Sequence, residues 1–457
     1  MNVRVQSLLI LLTTATLLCP QAKAGGPLLI GGPGYGIDGQ PFTWDASGMP
    51  IQYRVDGGPM SKTPAGATVI SNSSGLKRVQ GMFNNWQQAP NTALSFQYAG
   101  PLQPSGTFVG GDVITVADFN AVIGSCNSGQ QNPIIFDADG TLLQDLGLPG
   151  DVIGFASICK VDEHAGHILS AFALMNGQFQ DGVNVAPNYE LTAAQFDQAI
   201  THEIGHFSGL DHSQINLDVL NGSCTDDNNA GLPLMFPIAI CPARTESGLP
   251  ILAPDDQAWI ARLYPSSTYS QAYGTISGVI YFSDGMTQAQ GVNVIARRVD
   301  DPSTPQDESR RVAFSVVSGF RFTGNPGQNV TGTNTGGART GSRDATLIGY
   351  YEIAVPPGNY TVEVESISSY FVGGSSVGPL DPPIYLPGAP EFWNSTESAY
   401  DDPTANDTIS VSAGQAIKNI SIILNGTPSR FDDWEDGGAF LAPLDLFAEE
   451  PGHGGNS

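Results

Sequence analysis

The chain has 457 residues, of which 44 are acidic and 18 are basic, so its formal net charge is −26 at pH 7. Because a surface this acidic repels phosphates, the composition argues against nucleic acid and anionic membranes as partners, whereas it suits calcium binding or simple solubility outside the cell. The length allows two or three domains, and 55 Gly with 33 Pro indicate many turns.

Residues 1–24 have the layout of a secretory signal peptide. Arg4 precedes an apolar run over residues 8–18, and Ala22, Lys23 and Ala24 form a small-x-small cleavage pattern. No later segment is apolar for long enough to cross a bilayer. We therefore expect a protein without a membrane span that is secreted to the extracellular space, with a periplasmic or cell-surface location as the alternative.

The cysteines agree with an oxidising compartment. Of the five cysteines, Cys19 lies in the signal segment, and the other four form an even set that predicts two disulfides. Three pairings are open, and we favour the two that join neighbours along the chain, Cys126–Cys159 and Cys224–Cys241. Free thiols are the alternative.

Residues 25–41 are rich in Gly and Pro without periodicity, which predicts a flexible lead-in. Residues 42–266 then mix strand patterns of period two with helix patterns, which predicts an α+β domain. The strand patterns occupy residues 51–55, 94–98 and 168–174. The first helix is predicted where Val79, Met82, Phe83 and Trp86 recur on one face.

Two further helices are predicted later in this domain. Residues 192–209 form one, because Thr192 and Gln195 have capping-box spacing and its apolar residues share one face. His202 and His206 lie on the opposite side of that helix. Residues 253–264 form the other, with acidic residues in the first turn and a stop at Pro265.

Half of the six histidines lie in the segment THEIGHFSGLDHS, residues 201–213. His202 and His206 are four residues apart on a helix, so both rings can reach one ion, and Gly209 allows the chain to turn and bring His212 to the same ion. Three protein ligands and a water molecule are the usual ligands of catalytic zinc, and neutral imidazole is a good zinc ligand. Glu203 is placed to take a proton from that water as a general base.

The segment HEIGHFSGLDHS resembles the zinc signature of the metzincin metalloproteases, and the serine after the third histidine resembles the bacterial-type matrixin branch. LPLMFP resembles the Met-turn of that branch, and LAPDDQAWIARLYP resembles its closing helix. FDADG, DVIGFAS and HILSAFALMN resemble the strand region that precedes the active-site helix. The resemblance covers residues 42–266.

The resemblance implies a twisted mixed sheet with about three helices, one catalytic Zn2+ ion, and protein or peptide substrates. It places Met235 beneath the zinc, makes HILSAFALMN the edge strand beside which substrate lies extended, and assigns Pro237 and Ile238 to a substrate pocket. We expect a monomer. The chain departs from the family because it lacks the cysteine-switch prodomain and because the segment between His212 and Met235 is longer than in compact matrixins.

Two weaker patterns have competing interpretations. Asp137 and Asp139 could hold Ca2+ through their carboxylates, or they could belong to a solvated turn. His164 and His167 could bind a second, structural zinc, although a polar loop explains them better.

Residues 271–428 carry short alternating runs separated by turn residues, which predicts an all-β sandwich with poorly patterned loops at 300–345 and 366–410. This region is similar to the carboxypeptidase regulatory-like domain, which implies a binding or spacer role. Residues 429–457 are acidic and predict a flexible tail.

The leading hypothesis is a secreted zinc endopeptidase. One alternative is an adhesion or matrix-binding protein with a vestigial protease domain, against which the intact histidines and Glu203 speak. The other alternative is a metzincin of another branch, such as a pappalysin-like enzyme.

Overall fold

The structure is a computed structural model that describes residues 25–32, 35–162, 164–185, 189–322, 341–368, 384–386, 390–426 and 429–430. The signal segment and almost all of the acidic tail lie outside the described residues. Within the described ranges, no helix has both the length and the apolar character that a membrane span requires.

The helices are α1 (Asn72–Gln87), α2 (Val116–Asn127), α3 (Thr141–Asp145), α4 (Ala193–Phe207), α5 (Asp226–Gly231), α6 (Pro254–Leu263), α7 (Tyr269–Ala272) and α8 (Glu308–Arg311). The strands of the N-terminal unit are β1 (Thr43–Trp44), β2 (Ile51–Val55), β3 (Ser61–Lys62), β4 (Thr68–Ile70), β5 (Phe96–Pro101), β6 (Pro133–Asp137), β7 (Gly154–Val161) and β8 (His167–Asn176).

The strands that follow are β9 (Gly274–Tyr281), β10 (Asn293–Arg298), β11 (Ala313–Val317), β12 (Tyr350–Val355), β13 (Gly358–Glu365), β14 (Ile384–Tyr385), β15 (Glu391–Phe392), β16 (Ile409–Val411), β17 (Ala416–Ile417), β18 (Ile422–Ile423) and β19 (Ser429–Arg430). At this level the expected α+β class is confirmed: a mixed helix-and-strand unit precedes a region built almost entirely of strands.

The main sheet of the N-terminal unit is mixed. Its strands run in the order β5, β2, β6, β8, with β1 on the same side of β8 as β6. The pairs among these strands are all parallel, whereas β7 pairs antiparallel with the other side of β8. Strand β7 is therefore the free edge of the sheet on this side.

The prediction that HILSAFALMN is the edge strand is wrong. These residues form β8, which has neighbours on both sides, and every residue from Ser170 to Asn176 is buried. An interior strand covered on both faces carries a near-continuous apolar run, which Ala171 to Met175 in fact show. The edge position belongs to the preceding strand, β7.

Helices α1 and α4 pack against one face of this sheet, and α1 buries the apolar residues that its periodicity predicted. Trp86 links the two helices because its Nε1 donates to the carbonyl oxygen of Thr201 at 2.7 Å. The predicted start of α4 at Thr192 is confirmed, since Thr192 and Gln195 form a reciprocal capping box. The sequence patterns did not predict α2, although Phe119, Val122 and Cys126 recur at helical spacing and Thr115 with Asp118 forms a capping box.

The C-terminal unit is a pair of sheets. One contains β10, β11, β13, β15 and β16, and the other contains β9, β12, β17 and β18. Strand β11 lies in a stretch that was predicted to be a loop. All five of its residues are buried, so it lacks the alternation of apolar and polar residues that indicates a strand. Buried residues of both units belong to one continuous hydrophobic cluster.

The lead-in differs from the expected flexible segment over residues 25–32. Leu28 N donates to the Gly209 carbonyl at 2.7 Å, Asp211 N donates to the Gly26 carbonyl at 3.0 Å, and Ile30 is fully buried. This segment therefore lies against the loop that follows α4.

Candidate metal centre

Helix α4 carries His202 and His206 on its last turns. The apolar face of the helix, Phe196, Ile200, Ile204 and Phe207, is buried against the sheet and α1. Gly209 follows the helix with a φ of +87°, a conformation that a side chain disfavours, and the chain reverses there. The reversal brings His212 back over the end of the helix.

The three histidines meet through their Nε2 atoms. His212 Nε2 lies 3.1 Å from His202 Nε2 and 3.1 Å from His206 Nε2. One candidate ligand atom from each histidine lies within 4.8 Å of the others, and no other trio of His, Cys, Asp or Glu in the described ranges meets this condition. The geometry therefore brings together all three histidines that the sequence predicted.

Hydrogen bonds orient two of these rings. His202 Nδ1 lies 2.8 Å from the Leu234 carbonyl oxygen, and His206 Nδ1 lies 2.9 Å from the Leu210 carbonyl oxygen. Because a carbonyl oxygen only accepts, each Nδ1 must carry the hydrogen, so Nε2 is the nitrogen whose lone pair could bind a metal. The backbone thus selects the metal-binding tautomer.

Burial favours the neutral form of His202 and His212. Loss of solvent lowers the pKa of His202 to about 4, and it lowers the pKa of His212 well below its ordinary value. Neutral imidazole nitrogens are good ligands for zinc, copper, iron and nickel. The three residues therefore fit a metal ion that accepts nitrogen ligands.

Glu203 lies beside the triad and is nearly buried, with 9% of its surface exposed. Burial raises the pKa of this carboxyl group to about 8. Strand β7 lies against this side chain, because a Cβ added to Gly154 would lie 2.7 Å from Glu203 Cγ. The edge strand of the sheet thus reaches the carboxyl group.

Met235 lies beneath helix α4. A Cβ added to Gly205 would lie 2.3 Å from Met235 Sδ, so the sulfur fills the space that the missing side chain leaves on the helix turn of His202 and His206. Ser213 N donates to the Met235 carbonyl at 2.8 Å, which connects this turn to the loop of His212.

Asp256 is a residue of the site that the sequence reading did not identify. Its carboxylate accepts from Leu234 N at 2.7 Å and from Met235 N at 3.1 Å, and therefore fixes the turn that holds His202 through the Leu234 carbonyl. The sequence predicts only that the acidic first turn of α6 favours the helix dipole. Asp256 is in addition buried, and its carboxylate holds the backbone of Leu234 and Met235.

A cleft of about 470 Å³ opens onto the three histidines and Glu203. One wall is the start of β7, one is α4, and one is formed by residues 232–241, among which Pro237 and Ile238 line the cleft. Both expected disulfides are confirmed, and Cys241 of the Cys224–Cys241 pair lines the cleft.

The weaker candidates lie elsewhere. Asp137 Oδ2 accepts from Leu143 N at 2.7 Å and Asp139 Oδ1 accepts from Thr141 N at 3.1 Å, so both carboxylates serve the first turn of α3. His164 and His167 lie around the turn between β7 and β8, outside any histidine or acidic trio of the described residues.

No protein-family model and no curated protein matches the chain. Among solved structures, the chain is similar to BcpA, the major pilin subunit of Bacillus cereus, with 13% identity and a TM-score of 0.17 over 34% of this chain and 30% of that chain. It is also similar to the streptococcal ancillary pilin, with 12% identity and a TM-score of 0.15 over 35% of this chain and 34% of that one. The match spans about a third of each pilin, and similarity at this level says nothing about what this chain does.

Proposed function

We propose that the chain is a secreted zinc endopeptidase of the metzincin type, closest to the matrixin branch. The observation that carries the proposal is the convergence of the Nε2 atoms of His202, His206 and His212, with the buried Glu203 adjacent to His202 and an open cleft in front. Three imidazoles with an open position are the ligand set of hydrolytic zinc sites, whereas structural zinc sites are closed by a fourth protein ligand. The two disulfides are compatible with an extracellular location.

In the proposed reaction, His202, His206 and His212 hold the ion. A zinc ion bound there would act as a Lewis acid on the substrate carbonyl and would lower the pKa of water toward ~7. Glu203 takes the proton from the attacking water and delivers it to the leaving amine. A carboxyl group that lines the cleft beside the three histidines is placed to accept a proton there and to donate it again.

The substrate is proposed to bind along β7. An edge strand offers unpaired N–H and C=O groups to an extended peptide, and Gly154, Phe155 and Ala156 of this strand line the cleft. The side chain that follows the cleaved bond would enter the part of the cleft walled by Pro237 and Ile238.

The proposal is tested by measuring zinc content and peptide-library cleavage for the full chain and for Glu203→Gln. We expect one zinc per chain in both proteins, and an activity at least ~100-fold lower in the variant, which is the usual size of a general-base contribution. His206→Ala should lose the zinc, whereas His164→Ala, a histidine outside the triad, should keep it.

Two outcomes contradict the proposal. One is a wild-type chain that holds no zinc, and the other is a Glu203→Gln variant with full activity. A wild-type chain that binds zinc but cleaves no peptide would favour the binding protein with a vestigial site.

A further inference from the structure

The loop that follows His212 is buried between the two units. Residues 213–216 have no helix or strand of their own, yet all four are buried. Ile215 is fully buried in a small apolar cluster with Ile295 and Ala313, which belong to strands β10 and β11 of the sandwich. The segment next to the third histidine therefore packs on the C-terminal unit.

The sandwich also surrounds Gln214 with hydrogen bonds. Asn293 Nδ2 donates to the Gln214 carbonyl at 2.8 Å, and Gln214 Nε2 donates to Glu365 Oε1 at 2.6 Å. Ser368 N donates to Gln214 Oε1 at 2.8 Å. Asn293 is fully buried and also donates to Glu365 at 2.9 Å, so these groups form one connected network.

Ser213, the residue directly after His212, also contacts the C-terminal unit through its side chain. Its Oγ donates to Asp255 Oδ2 at 2.5 Å and lies 2.9 Å from Ser315 Oγ of strand β11. Ser315 N donates to the other oxygen of Asp255 at 2.8 Å. One carboxylate therefore joins the histidine loop, helix α6 and the sandwich.

We propose that Asn293 of the sandwich is a positioning residue for the metal centre, and that the C-terminal unit sets the metal affinity through residues 213–216. His202 and His206 are fixed by the helix that carries them. His212 comes from beyond a glycine turn, so its position depends on what holds its loop: residues 25–28 hydrogen-bond to residues 209–212, and the C-terminal unit holds residues 213–216. The sandwich is then part of the metal site and more than a spacer.

This inference rests on the proposed function only in that His212 is a zinc ligand; it does not require peptide cleavage. Residues that orient metal ligands from behind typically change metal affinity 10- to 100-fold when they are mutated. Asn293 acts one step further from the ion, so we expect about the lower value, a 10-fold weaker zinc affinity.

The experiment compares the full chain with Asn293→Ala and Gln214→Ala, each of which removes part of the network. Zinc dissociation constants are measured by competition with a chromophoric chelator, and the d–d absorption of the cobalt-loaded protein reports ligand geometry. Circular dichroism establishes that each variant is folded. Tyr351→Phe is the matched control, because it deletes a buried hydrogen bond to the Ile420 carbonyl inside the sandwich.

We expect zinc affinity to fall about 10-fold in both network variants, with an altered cobalt spectrum, and to stay within about twofold of wild type in the control. If Asn293→Ala does not fold, Gln214→Ala decides. Folded network variants with wild-type affinity and spectrum would overturn the inference, as would an equal loss in the control. A wild-type chain that binds no zinc would overturn the proposed function as well, so the two failures are distinguishable.

Discussion

Gly154 on the edge strand lies directly against Glu203 on helix α4: a Cβ at position 154 would be 2.7 Å from Glu203 Cγ and 3.1 Å from its Oε1. Gly154→Ala should therefore push the carboxyl group out of place while leaving the three histidines intact. Because a displacement of about 1 Å can reduce a rate ~100-fold, we expect a 10- to 100-fold loss of peptidase activity with unchanged zinc content. Steady-state kinetics with zinc analysis checks this.

Ala156 is the matched control on the same strand. It is fully buried and already carries the Cβ that Gly154 lacks, so Ala156→Gly removes a methyl group without pushing on Glu203. Equal activity losses in Gly154→Ala and Ala156→Gly would mean that any change in strand β7 lowers the activity. The contact with Glu203 would then not be the cause.

Gly205→Ala should destabilise the chain although alanine favours helices. The added methyl group would lie 2.3 Å from Met235 Sδ and 2.8 Å from Trp86 Cζ2. Overpacking of a core typically costs 1–3 kcal/mol, which exceeds the gain of at most ~1 kcal/mol in helix propensity. We expect the free energy of unfolding, measured with urea, to fall by up to about 2 kcal/mol.

Gly81→Ala on α1 provides the comparison. Its Cβ would meet nothing within 4 Å, so the helix gains propensity without a clash, and stability should rise by up to ~1 kcal/mol. A Gly205→Ala variant as stable as Gly81→Ala would contradict the close contact with Met235.

Metal removal should lower the unfolding temperature. A ligand that binds only the folded chain stabilises it by about 2.7 kcal/mol when present at 100 times its dissociation constant. The unfolding temperature measured with excess zinc should therefore be higher than the unfolding temperature measured with a chelator. The His212→Ala variant should unfold at the same temperature in both conditions. A wild-type unfolding temperature that does not change when the chelator is added would argue against a metal centre.

Asp255 should make stability depend on pH. Burial raises the pKa of this carboxyl to about 8, so the folded chain holds the proton more tightly than the unfolded chain does. The contribution of this carboxyl group to the free energy of unfolding is fully present below about pH 4 and is lost as the pH rises toward 8. Asp255→Asn keeps an acceptor for Ser315 N and a donor for Ser213 Oγ, without a charge.

We therefore expect the unfolding free energy of Asp255→Asn, relative to wild type, to increase between pH 5 and pH 8, by at most ~1.4 kcal/mol per pH unit. Urea unfolding of both proteins at several pH values measures this. Parallel pH profiles would mean that the wild-type carboxyl group is not the source of the dependence.

Much of the candidate site was predictable because its information is local. The spacing of His202, Glu203 and His206 on one helix, the glycine that ends it, and the capping box at Thr192 are short-range patterns that backbone geometry turns into structure directly. The two disulfides followed from an even cysteine count and from pairing along the chain. The periodicity of α1 is local in the same sense.

The rest required the tertiary structure. Which strand lies at the edge of a sheet depends on how separate segments pair. An apolar run such as Ala171 to Met175 does not by itself indicate which position in the sheet its strand takes. The second role of Asp256 and the burial of residues 213–216 arise from contacts across the fold.

Which atoms could bind a metal follows from a local pattern, because helix geometry sets the spacing of ligands four residues apart. Which strand faces the cleft, and what holds the loop of His212, follow only from packing between separate segments of the folded chain. Gln214 and Asn293, for example, are 79 positions apart, and local periodicity carries no information about such a contact.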